Sequence, residues 1–186
     1  AIQRALEQFN QNMKKNGEPV LKTGIGINTG EVIMGTVGTT ERMDSTLIGD
    51  EVNLASRLES LTKQYGIDII ISEGTVKNLE RPEDFFLQEI DSVTVKGKSE
   101  AVTIYGVFDH EPIETQKLRR SCEKNFISGI SLYKAREFEK AAELFLTCKN
   151  ILPDEKSFQL YIERCRQYSN NPPDESWDGS EKLESK

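Results

Sequence analysis

Asn53 and Arg57 stand four residues apart in the stretch G-D-E-V-N-L-A-S-R-L-E-S, residues 49–60. A four-residue step stacks two side chains one turn apart on a helix face. The two are an amide that donates and accepts and a planar guanidinium fork that only donates, stacked where both could meet one ligand. By spacing alone the pair reads first as a solvated stripe, because Leu54, Ala55, Leu58 and Leu61 make an apolar face beside it. Lys96 and Lys98, in V-K-G-K-S, would share one face of an extended strand, and by composition alone either is a surface lysine. Other chemistries fit worse. The single histidine, His110, has no cysteine near it in sequence, which argues against a nucleophile triad. One histidine and three scattered cysteines serve zinc poorly. The glycines at 24, 26, 30, 35 and 38 form no G-x-G-x-x-G, and no G-x-x-x-x-G-K-[ST] occurs.

These residues need a scaffold, and the first 109 residues alternate strand-like and helical runs. Ile2, Leu6, Phe9 and Met13 recur at helical spacing, which predicts a helix over residues 1–15 ending near Asn16-Gly17. Residues 21–28 and 31–37 read as two strands of a hairpin turning at Thr29-Gly30. Gly24 and Gly26 inside the first strand imply a close approach there, either by a ligand or by a packed helix. A short run follows over 43–48. Gly49-Asp50 then opens a helix to about Lys63, with Asp50 as N-cap. Residues 67–71 read as a buried strand and 73–79 as a short helix. Residues 85–90, 93–95 and 102–108 read as strands, giving an α+β arrangement with a terminal hairpin.

Past His110-Glu111-Pro112 the pattern changes. Residues 110–114 read as a linker, 115–168 as a helical unit and 169–186 as a tail that is disordered or docked on a neighbour. Gly129, Ala141, Phe145 and Pro153 stand at the spacings of a tetratricopeptide (TPR) hairpin, which needs a following helix, a partner chain or the first domain to cover its apolar face.

With 186 residues, 24 Lys and Arg and 31 Asp and Glu, the net charge is −7. That argues against nucleic acid as a partner. No apolar run approaches the roughly 20 residues of a membrane span. No signal peptide opens the sequence, and three cysteines without ligand spacing read as reduced thiols in cytoplasm.

Three ordered blocks carry a resemblance: T-G-I-G-I-N-T-G-E-V from Thr23, G-D-E-V-N-L-A-S-R-L-E-S from Gly49, and V-K-G-K-S-E-A-V-T-I-Y from Val95. Together they resemble the C-terminal part of the class III adenylyl and guanylyl cyclase catalytic domain, over roughly residues 1–108. The resemblance implies a ferredoxin-like palm of mixed, mainly antiparallel sheet and helices, N-terminally incomplete, occupying residues 1–109. It implies that Asn53 orients the ribose, Arg57 neutralises triphosphate charge in the transition state, and Lys96 meets the terminal phosphates. Thr46 falls where the family chooses its purine, and threonine there points to ATP over GTP. Two Mg2+ or Mn2+ ions are implied as cofactors, on two aspartates upstream of this chain; Asp44, Asp50, Asp68, Asp84 and Asp91 occupy neither position and read as caps, turns and solvated faces. A head-to-tail homodimer is implied, one protomer giving metals and the other Asn53, Arg57, Lys96 and Thr46. The chain is thus expected to be an inactive fragment of an ATP-cyclising enzyme. The helical hairpin and tail also resemble the ends of bacterial cyclases with membrane spans upstream. Two alternatives stay open: a non-catalytic regulator that binds nucleotide or an active partner, and a protein-interaction adaptor built on the helical unit.

Overall fold

The computed structural model describes residues 2–39, 42–95 and 101–183. Its centre is a five-stranded mixed sheet in the order β1 (Ile25–Ile27), β4 (Ile69–Ser72), β6 (Ala101–Val107), β5 (Leu87–Val95), β7 (Glu181–Leu183). β1 runs parallel to β4 and β7 parallel to β5, while β6 is antiparallel to both its neighbours. A separate antiparallel hairpin joins β2 (Ile33–Thr39) to β3 (Arg42–Ile48), with Ile33 opposite Ile48. The helices are α1 (Ile2–Lys15), α2 (Asp50–Tyr65), α3 (Glu73–Lys77), α4 (Ile113–Lys134), α5 (Phe138–Ile151) and α6 (Lys156–Asn170).

The sequence places α1, α2 and the β5–β6 hairpin well, but the strands before α2 pair differently from expectation. Residues 21–28 and 31–37 do not form a hairpin with each other: β1 is only three residues long and its partner is β4, across α2, while β2 pairs with β3. The run 43–48 is therefore a full strand. The glycines explain the change. A Cβ on Gly26 would lie 2.2 Å from the Glu59 nitrogen and 2.4 Å from the Ala55 oxygen, so α2 rests directly on the backbone of β1. The close approach is by a helix.

Asp50 is not the cap of α2. Gly49 holds that position with no side-chain bond, and Asp50 and Glu51 form the acidic first turn, where their charge meets the positive end of the helix dipole. The other end closes on Gly66 at φ 71°, a left-handed residue whose N–H returns to Thr62 O. Leu54, Leu58, Leu61 and Tyr65 face inward against Ile70, Ile90, Val93 and Ile104 of the sheet.

The two strands expected over 85–90 and 93–95 are one, β5, with a register shift between Glu89 and Asp91. This bulge turns Asp91 into the core, where its side chain is fully buried and not on a solvated face. Asp68 instead meets His110 Nε2 at 3.1 Å and Asp84 pairs with Arg81, and the side chain of Asp44 lies outside the described residues.

After Pro112 the chain is helical. A Cβ on Gly129 would meet the Phe145 ring at 2.7 Å, so the glycine is what lets α4 and α5 cross this closely. Phe126, Tyr133, Phe145, Phe158 and Tyr161 fill a second core continuous with α6. The tail docks on its own chain, contrary to disorder or a neighbour: Trp177 enters a cluster with Tyr133, Phe138 and Tyr168, and β7 extends the main sheet. Arg136, the one described non-glycine residue with positive φ, holds the turn by donating to Pro173 O and Asp174 O.

Cys122, Cys148 and Cys165 are buried and free. Loss of water pushes the Cys148 and Cys165 thiols up to about 12, and burial likewise raises Tyr65, Tyr133 and Tyr161. Two outcomes are expected. Thiol reagents label none of the three cysteines near neutral pH until the chain is unfolded. Because the folded chain keeps these groups neutral past the ordinary values of 9.0 for cysteine and 10.0 for tyrosine, stability is full below those values and falls as pH rises through and beyond them. Urea midpoints measured across that range check the sign.

Candidate functional site

Asn53 and Arg57 lie one turn apart on α2, as their spacing requires. Asn53 is exposed. Arg57 is half-buried, and its Nη1 is shielded from water with no hydrogen-bond partner among the described residues. A guanidinium nitrogen left without water or acceptor is costly, and because the chain itself covers it, an anionic group reaches it only as neighbouring side chains move. Thr46 is half-buried on β3 opposite Gly35, and β3 leads through Gly49 straight into α2. Thr46 and Asn53 thus flank one strand–helix junction. Lys96 and Lys98 lie outside the described residues; β5 ends at the residue before Lys96.

The junction is fixed by a polar cluster that sequence reasoning missed. Asn28 Nδ2 donates to Glu51 O at 3.1 Å and to Glu51 Oε2 at 2.6 Å, and Asn28 Oδ1 accepts from Ser72 Oγ at 2.6 Å. Ser72 Oγ also accepts from the Thr75 N–H at 3.1 Å, capping α3, and Thr29 Oγ1 donates to Thr75 Oγ1 at 3.2 Å. Gly30 lies against the Glu51 side chain, where a Cβ would come within 2.5 Å. The N-T-G of residues 28–30 thereby pins the first turn of α2. The local signal was Ser72 three residues before Thr75, an N-cap spacing.

Among the described residues no three His, Cys, Asp or Glu side chains gather as metal ligands. Asp91, Asp68 and Asp84 are engaged by Arg164, His110 and Arg81. What the described residues bring to the junction are the Asn53 amide and the Arg57 guanidinium, side chains whose N–H groups can donate to a ligand.

The family profile of the adenylate and guanylate cyclase catalytic domain matches residues 2–107. The terminal-differentiation-specific adenylate cyclase of Dictyostelium discoideum is 44% identical over 148 residues, covering 79% of this chain and 7% of that protein. Residues 2–107 alone cannot supply that coverage, so the similarity continues into the helical unit. An adenylate cyclase of Anabaena cylindrica is 56% identical over 111 residues, 57% of this chain and 22% of its own. The chain therefore spans less than a quarter of either relative. Among solved structures, the adenylyl cyclase CyaB from P. aeruginosa is 34% identical with a TM-score of 0.49, covering 58% of this chain and 54% of that one. The guanylyl cyclase Cya2 is 35% identical with a TM-score of 0.49, covering 60% and 55%.

Proposed function

Because the chain belongs to the adenylate and guanylate cyclase catalytic-domain family, we propose that it forms the Asn53–Arg57 wall of a two-protomer site that converts ATP to 3′,5′-cyclic AMP and pyrophosphate. The observation that carries this is Arg57, half-buried with a shielded Nη1 that has no partner among the described residues, one turn from Asn53 on a helix whose first turn is held by Asn28 and Glu51.

In the reaction the ribose 3′-oxygen bonds to the α-phosphorus, the bond to pyrophosphate breaks, and the hydroxyl proton passes to solvent or to the released pyrophosphate. Asn53 holds the ribose so that this oxygen faces the phosphorus, and holding an internal nucleophile in line supplies much of the acceleration. Arg57 spreads its N–H donors over phosphate oxygens whose charge grows as pyrophosphate leaves. Lys96 neutralises the terminal phosphates, and Thr46 selects the purine.

The other wall comes from a second protomer in head-to-tail contact. Ile33 and Met34 of β2 are 72% and 71% exposed and Leu47 and Ile48 of β3 are half open, so the hairpin offers apolar surface that such pairing would cover. Two Mg2+ or Mn2+ ions would be held by carboxylates outside this chain. We also read α4–α5 as a single TPR-like hairpin. The buried thiols favour a cytoplasmic setting, and no helix among the described residues is long and apolar enough to cross a membrane.

The test is product formation from equimolar ATP and GTP with manganese, using the polypeptide extended upstream of residue 1. Cyclic AMP as the main product supports the reading. Cyclic GMP as the main product overturns the choice of substrate, and a folded dimer that binds ATP without turnover overturns catalysis in favour of a regulatory module.

A further inference from the structure

We infer that α6 braces the helix that carries Asn53 and Arg57: through Arg164 the C-terminal helices fix the end of α2 and the bulge of β5, and the placement of Arg57 depends on that docking. The inference deepens the proposed function and rests on α2 being a wall of the nucleotide site.

The brace is built from three side chains far apart in sequence. Tyr65, the last residue of α2, donates its hydroxyl to Asp91 Oδ2 at 2.5 Å. Arg164 Nη1 donates to the same oxygen at 2.6 Å, and its Nη2 donates to the Tyr65 hydroxyl at 3.2 Å. Asp91 Oδ1 accepts from the Ser92 N–H at 2.7 Å, so both carboxylate oxygens are satisfied. Tyr65 and Asp91 are fully buried and Arg164 is 7% exposed. A charged pair with so little water persists only where its geometry is held, because each partner alone would be a buried uncompensated charge. A module swinging on a flexible linker would not retain it.

Four further contacts make the joint rigid. The aliphatic stem of Lys156 lies over Gly66, the left-handed residue that ends α2, where a Cβ would meet it at 2.8 Å. Leu160 packs against the palm core to which the α2 leucines belong. Tyr161, fully buried, donates to Ile90 O at 2.8 Å, within the bulge of β5. Arg119 of α4 places its guanidinium 3.7 Å from the centre of the Phe108 ring while bonded to Glu111 and Glu155. The tail joins the same network: Arg164 Nε lies 3.4 Å from Glu181 on β7, which also accepts from the Tyr133 hydroxyl at 2.9 Å.

The consequence follows from helix stiffness. Tyr65 lies two turns beyond Arg57, roughly 12 Å along the axis at 1.5 Å per residue. A helix moves as a rod over that length, so freeing its Tyr65 end tilts the guanidinium away from the phosphates it must meet, and small misplacements of a positioning group cost rate heavily. Arg164 is thus a positioning residue that touches no substrate. Whatever shifts the helical unit reaches the nucleotide through α2.

The test uses the extended, catalytically competent protein with Arg164→Met, Arg164→Lys, Tyr65→Phe and Arg57→Ala, measuring turnover and amide hydrogen exchange. Arg164→Met is expected to lower kcat about tenfold with KM for ATP unchanged within about twofold, and to speed exchange in 61–65 and 91–95 while β4 stays protected. Arg164→Lys is expected to recover part of both effects. Tyr65→Phe keeps the ring, removes one hydroxyl and is expected to give the same pattern more weakly, which decides the question should Arg164→Met fail to fold. Faster exchange confined to α6 and the tail, with unchanged kcat, overturns the brace. Full turnover in Arg57→Ala would overturn the nucleotide-site reading instead, and the exchange pattern would still decide whether α6 holds α2.

Discussion

Replacing Arg57 by alanine is expected to lower cyclic AMP formation by roughly a hundred- to a thousandfold, about 3 to 4 kcal/mol of transition-state stabilisation, the loss typical of removing one preorganised donor to a developing charge. Nη1 has no hydrogen-bond partner among the described residues, so truncation breaks no such bond there and the fold should survive. Pyrophosphate gains charge as it leaves, so a donor that engages the leaving oxygens more strongly in the transition state than in bound ATP acts on kcat more than on KM. Arg57→Lys should recover only part of the rate, because a point charge cannot reproduce a planar fork on two oxygens. The measurement is kcat at saturating ATP, with circular dichroism confirming an unchanged fold. Turnover equal to the unsubstituted protein would remove Arg57 from the mechanism.

The geometry of that helix was legible in the sequence because it is local. The step from Asn53 to Arg57 and the leucines at 54, 58 and 61 follow from a 3.6-residue period, although the helix runs past the expected Lys63 to Tyr65 and stops at the left-handed Gly66, and the chemical roles came from the family resemblance. What escaped depends on partners distant in sequence. Asp91 is of a type common in turns, and its burial is made tolerable by Tyr65, 26 residues earlier, and by Arg164, 73 residues later. Trp177 lies in a stretch without periodicity, and its place is set by Tyr133, Phe138 and Tyr168. Asn28 holds the entry to α2 through Glu51 and Ser72, which no local pattern ties together. The β1–β4 pairing crosses an entire hairpin and helix, so strand propensity could not choose it over the nearer partner.

Gly26→Ala is expected to destabilise this chain by about 3 kcal/mol or more, above the middle of the range for overpacking, because the clash is with backbone. The added methyl would sit 2.2 Å from the Glu59 nitrogen, 2.4 Å from the Ala55 oxygen and 2.8 Å from the Leu58 carbonyl carbon, so no rotamer change can relieve it. Either β1 leaves β4 or α2 lifts from the sheet. Gly24→Ala meets the Thr62 side chain, with Oγ1 at 1.8 Å and Cβ at 2.8 Å; turning the hydroxyl gives up its 2.6 Å bond to Glu59 O but leaves the Cβ contact, so the cost should be about 1 to 2 kcal/mol, below that of Gly26→Ala. Gly35→Ala has nothing within 4 Å and should change stability by no more than about 0.5 kcal/mol. Urea unfolding of the three variants orders them, and equal costs at Gly26 and Gly35 would show that α2 does not rest on β1. The same displacement reaches the site, since Ala55 and Leu58 flank Arg57 on the turn that would have to move. In the extended protein Gly26→Ala should therefore lose turnover even where it remains folded, with Arg57 intact but lifted from the phosphates.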